Sequence, residues 1–276
     1  MLTYRTKVRL NKLIAFIKKD FVIARNYRFA FILEILGIFF STASLYFLSR
    51  IFGSSISPYL EPYGNNYFAF VLIGIALSSY LSFSLYSYSS QLRESQVQGT
   101  LEALLVTPTS LSTIVLFSSI YPFLYTSLSV IIYLILGILV FGFSLDNANF
   151  LAAFVILILS ITSFSGLGIL SAAFIMVFKR GSPIQWLVGS LSYLLSGTLY
   201  PVSVLPAWLQ KFSYLLPLTY SLQGMRGALL QNLPLRNLAP NIIALLLFSV
   251  ALLPLGLGAF YYATRRAKID GSLTHY

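Results

Sequence analysis

Between Phe29 and Ala263 the chain is a succession of apolar runs that are nearly free of charge. That one feature decides the fold class. A hydrocarbon core of about 30 Å is crossed by about 20 residues of helix. Inside it, backbone polar groups must be satisfied within the segment itself, so such runs fold as helices. The runs cover about 29–52, 67–90, 111–143, 150–178, 184–200 and 241–263. They predict an all-α, polytopic membrane protein with six transmembrane helices. Composition agrees, since 58% of the 276 residues are hydrophobic and only 9% charged, against about 25% charged in an average soluble domain.

A net charge of +11 in a soluble chain would point to nucleic acid. Here the basic residues gather at one set of span ends. Eight of them (Arg5, Lys7, Arg9, Lys12, Lys18, Lys19, Arg25 and Arg28) precede the first span. Arg93, Lys179, Arg180, Arg265, Arg266 and Lys268 fall at every second boundary thereafter. Only Arg50, Lys211, Arg226 and Arg236 lie elsewhere. By the positive-inside rule this sets both termini in the cytoplasm, with a plasma-membrane location and no nucleic-acid partner expected. The chain has no cysteine, and its single histidine is His275, next to the C-terminus, which excludes a thiolate or three-histidine metal site. The phosphate-binding pattern G-x-x-x-x-G-K-[ST] is absent, so no nucleotide site, cofactor or metal is expected in this chain.

Residues 1–28 read as a basic amphipathic helix, with Leu10, Leu13, Ile14, Ile17, Phe21 and Ala24 at helical spacing. Such a helix lies in the headgroup layer or packs on a soluble partner. The spans occupy 29–263, and 264–276 form a polar cytoplasmic tail. Glu34 is the one carboxylate placed inside a span. It either snorkels to Arg28 or Arg25 or makes a polar contact in a substrate path or with a neighbouring subunit. Pro122 predicts a kink in the third run. Ser165, Gly166, Gly168 and Ser171 predict a close-packing face on the fourth.

Two stretches break the pattern. In 93–110, RESQVQGTLEALLVTPTS, Leu101, Leu104 and Leu105 share one helical face. Gly99 frees the chain before them, and Pro108 ends the turn at Thr107. This is either a helix that buries its leucines on a partner or a connecting loop lying on the membrane surface. In 201–236 two apolar pieces of about a dozen residues, too short to cross, are divided by Pro201, Pro206 and Pro217. They read as re-entrant helices or as an outside amphipathic loop anchored by Trp208.

Both stretches resemble the type-2 ABC transporter permease family, the membrane subunits of ATP-driven exporters. Glu94, Gly99-Thr100-Leu101-Glu102, Leu104-Leu105 and Thr107-Pro108 resemble its first cytoplasmic loop. Gly197, Pro201, Leu205-Pro206, Trp208-Leu209, Pro217-Leu218 and Arg226 resemble its segment between the fifth and sixth spans. The resemblance implies that Glu94, Gly99, Thr100, Leu101, Glu102, Leu104, Leu105 and Pro108 couple the chain to a separate ATPase subunit. It also implies that Pro201, Pro206, Trp208, Pro217 and Arg226 belong to a re-entrant hairpin capping the translocation path. Two ATPase copies carrying ATP and Mg are expected, with a second copy of this permease or a related one as dimer partner. A drug-like or lipid-like amphipathic substrate is expected. Export of polysaccharide or glycolipid is the alternative, and an ion-coupled secondary transporter a further one.

Overall fold

The computed structural model describes residues 14–15, 17–19, 21–22, 28–56, 59–97, 111–146, 148–178 and 183–269. Among them are helices and short 3-10 turns, and no strand. The helices are α1 (Arg28–Ile56), α2 (Tyr67–Val97), α3 (Leu111–Ser118), α4 (Ile120–Leu139), α5 (Phe150–Phe178), α6 (Pro183–Leu195), α7 (Ala207–Ser213), α8 (Pro217–Leu230) and α9 (Ala239–Ile269). Residues 14–15, 17–19 and 21–22 are helical too, with Ile14, Phe21 and Val22 exposed.

Five of these helices are long and apolar enough to cross a membrane, over Phe29–Ile51, Tyr67–Ser90, Ile120–Leu139, Phe150–Phe178 and Ala239–Ala267. The expected fifth span, 184–200, is shorter than its apolar run. Its helix stops at Leu195, and at 1.5 Å per residue it is only about 20 Å long. Gly197, with φ +84°, turns the chain away in the left-handed region that glycine tolerates. The third run also differs in detail. It breaks at Ser119, between α3 and α4, rather than at Pro122. The cause is still Pro122, whose ring crowds the carbonyl four residues back and which has no N–H to give it. At the break the Ser119 hydroxyl donates to the Leu116 carbonyl at 2.8 Å.

The centre of the bundle is α2 and α5, with α9 lying along α5 and α8 wedged against both α5 and α2. Phe68, Leu72 and Tyr80 of α2 meet Ile156 and Phe164 of α5 and Leu222 of α8 in one core. Lipid tails are as apolar as these side chains, so close packing and hydrogen bonding hold such helices together. The small face expected on the fourth run supplies both. Ser165, Gly166, Gly168 and Ser171 are all buried. A Cβ on Gly166 would stand 2.6 Å from the Leu252 backbone of α9. The Ser163 and Ser249 hydroxyls bond across the same contact at 2.9 Å. Tyr80 and Tyr88 are buried, while Tyr86 faces outward. Helix α1 is peripheral. It packs on α2 and α4 and leaves Phe29, Phe40, Phe47 and Ile51 exposed.

Candidate functional site

The stretch expected to couple to an ATPase lies between the end of α2 at Val97 and the start of α3 at Leu111. Gly99, Thr100, Leu101, Glu102, Leu104, Leu105 and Pro108 fall outside the described residues. Glu94 sits on the last turns of α2, where only the backbone is described. Helices α2 and α3 pack on each other, so both ends of the stretch are anchored to adjoining helices of the bundle.

The segment after α6 is built around Arg226. This residue is only 2% exposed, although its place in the sequence puts it among the charges outside the membrane core. Its Nε and one terminal nitrogen donate to the Phe70 carbonyl at 3.2 and 3.0 Å. The other terminal nitrogen donates to Gly197 at 2.7 Å, and Thr198 accepts a further bond at 3.0 Å. The guanidinium carbon also lies 3.3 Å from the centre of the Phe70 ring. No carboxylate is among these partners. The planar fork, with five N–H donors, instead ties together the start of α2, the turn after α6 and helix α8. Gly74 makes room for it, because a Cβ there would meet the Thr198 carbonyl and stand 2.7 Å from the guanidinium. The Ser78 and Thr198 hydroxyls, 3.1 Å apart, extend the same contact inward.

Helix α8 descends beside α5. The Ala228 carbonyl accepts from the Asn149 N–H at the start of α5. Gly224 lies against Ile156, and Ser160 donates to Ser221 at 2.8 Å. The N-terminal end of α8 therefore lies about 15 Å along α5 from Phe150. Pro201 and Pro217 are buried, whereas Pro206 and Trp208 are exposed on the short helix α7 and its approach. A signal for α8 was present in the sequence: residues 217–229 mix Leu, Ser, Thr and Gly without a continuous polar face, as suits a helix buried all round.

Glu34 faces α4. The Tyr125 hydroxyl donates to one carboxylate oxygen, and the Ser129 hydroxyl donates to the other at 2.8 Å. Both oxygens are thus engaged by α4, a polar contact of the kind the sequence left open; Arg25 and the side chain of Arg28, the other partners it offered, lie outside what the structure describes. Glu34 and Tyr125 each lie five residues inside the first residue of their spans, Phe29–Ile51 and Ile120–Leu139, and the cleft continues from them to Ser129 and Ser79. The carboxylate borders a cavity of about 440 Å³ between α1, α2 and α4. Tyr125 and Ser129, spaced i, i+4 on one face of a span, were the readable sign of a polar partner for it.

The sequence matches the family described as ABC-2 type transporter over residues 12–230. The match covers most of the chain, including the 93–110 stretch and α8. The chain belongs to the ABC-2 type transporter family. Members are membrane permease subunits of ABC transporters, with ATP hydrolysed by a separate ATPase. The chain is also similar to the inner membrane transport permease YadH of Escherichia coli K12, 29% identical over 191 residues, which is 67% of this chain and 71% of that protein. The YadH proteins of Escherichia coli O157:H7 and Shigella flexneri match to the same extent.

Proposed function

We propose that this chain is the transmembrane permease subunit of an exporter in the plasma (inner) membrane, moving a hydrophobic or amphipathic substrate. A separate ATPase, present in two copies and holding ATP and Mg, powers it. The observation that carries this reading is the family match spanning the 93–110 stretch. Leu101, Leu104 and Leu105 then form the buried contact with the ATPase, helped by Glu94 and Glu102, while Gly99, Thr100 and Pro108 shape the turn. Two permeases pair across a dimer interface, and closure of the ATPases shifts the spans as rigid bodies.

The six-crossing topology follows if α6 and the segment after it share one passage. Helix α6 covers the cytoplasmic part of the layer. The pair α7 and α8 enters from the outside and fills the rest, as the descent of α8 along α5 supports. Backbone away from regular helix is tolerated at membrane depth only where protein satisfies it, and Arg226 does that for Gly197 and Thr198. On this reading Pro201, Pro206, Trp208, Pro217 and Arg226 belong to a re-entrant cap. The basic N-terminal helix lies on the cytoplasmic surface.

The test is co-purification of the full chain, in mild detergent, with the ABC ATPase encoded nearest to it. A stable complex in equal copies is expected. A chain that purifies without the ATPase and moves solute down an ion gradient would overturn the reading. Glu34 would then become the candidate coupling-ion site.

A further inference from the structure

The cavity beside Glu34 joins three properties seldom found together at membrane depth. It has a carboxylate, it has aromatic walls, and no basic residue lines it among those described. Phe83 comes from α2, and Tyr125 and Tyr133 from α4, while Gly37 leaves the α1 side open. Tyr125 is braced edge-on by Phe31, their ring centres 6.3 Å apart. The two hydroxyls that hold Glu34 are neutral donors. They fix the direction of the carboxylate but do not offset its charge. An ionised oxygen pair offers about four lone-pair sites, so positions remain for a further group. A carboxylate among hydrocarbon tails is costly unless a positive charge meets it. Among the side chains described, none that lines the cavity is Lys or Arg. The faces of Tyr and Phe rings favour a cation within about 6 Å by roughly 0.5–2 kcal/mol. Helix α1 is the outermost wall, so a ligand would enter from the acyl-chain region.

We propose that the cleft between α1, α2 and α4 binds a lipophilic organic cation, with Glu34 as counter-charge and Phe83, Tyr125 and Tyr133 as aromatic walls. This rests on the permease reading and narrows its substrate class. A neutral lipid or a sugar polymer does not need a carboxylate there, and an anionic lipid is repelled by it. Gly37 fits the role. A Cβ there meets nothing within 4 Å, so the glycine widens the cleft without being required by neighbouring helices.

The test uses the full chain in lipid nanodiscs without ATPase or nucleotide. Tetraphenylphosphonium is the probe, and tetraphenylborate, of the same shape and opposite charge, is the control. Saturable binding of the cation and not the anion is expected. Glu34→Gln keeps the size and the acceptor oxygen, and it should weaken cation binding about tenfold or more, as loss of a desolvated charge partner does. Phe83→Leu should weaken it by a smaller factor. The Glu34→Gln chain should elute from size exclusion as the parent does. Equal binding by parent and Glu34→Gln, no saturable binding by the parent, or equal binding of both ions would each overturn the proposal. Because no ATPase is present, such a failure leaves the permease reading intact, and that reading fails separately if no ATPase associates.

Discussion

Arg226 shows how a single charge can be structural inside a membrane protein. Removing it would leave the Phe70, Gly197 and Thr198 carbonyls without their shared donor. An unsatisfied buried acceptor costs about 1–3 kcal/mol, so Arg226→Met should lower stability by on the order of 3 kcal/mol. Arg226→Lys should recover little of it, because one ammonium cannot reproduce the fork. Thermal unfolding of the detergent-purified chain measures both. A lysine variant as stable as the parent would show that charge matters and geometry does not. The residue was visible in the sequence as a member of the segment after the fifth apolar run. Its burial was not, because that depends on Phe70 and Gly74, some 150 residues earlier, which only the packing of α8 on α2 brings near. For Glu34 the sequence left a basic partner and a polar contact both open; that Tyr125 and Ser129 meet it depends on the packing of α1 on α4.

Among the helices, apolar runs and small-residue spacing carried most of the information. The fourth run was read as 150–178 and is α5, Phe150–Phe178. Its Ser/Gly face is the one that meets α9 and α2. The cysteine-free chain makes this contact easy to probe. Ser163→Cys with Ser249→Cys should form a disulfide on mild oxidation, because the parent hydroxyls are 2.9 Å apart and a disulfide needs Cβ atoms about 3.5–4.5 Å apart. Adding Gly166→Leu should suppress that cross-link, since even a Cβ there collides with the Leu252 backbone. Cross-linking undiminished by the leucine would mean that Gly166 does not lie in the close contact between α5 and α9. The break before Pro122 was foreseen in cause and misplaced by three residues, as expected when a proline disturbs the carbonyl four positions back. The shortness of α6 was not readable, because the apolar run continues through Leu199 while the helix ends where Gly197 takes a positive φ.

For the protein as a whole, the proposed permease needs six passages with both termini in the cytoplasm. In the same cysteine-free background, Glu61→Cys should react with a membrane-impermeant maleimide in intact cells, whereas Ser95→Cys should react only after permeabilisation. The reverse pattern would invert the topology and place the 93–110 stretch on the wrong side for an ATPase. Everything else in the proposed function depends on this stretch transmitting ATP-driven motion to the spans. ATP hydrolysis by the permease–ATPase complex in liposomes reads that transmission, comparing the parent with Leu104→Asp plus Leu105→Asp. Burying each leucine is worth about 1.5–3 kcal/mol, and a buried unpaired carboxylate adds a further penalty. The doubly substituted complex should therefore dissociate or lose most of its transport-linked hydrolysis. A complex that assembles and hydrolyses ATP at the parent rate with both aspartates in place would mean that coupling runs through some other part of the chain.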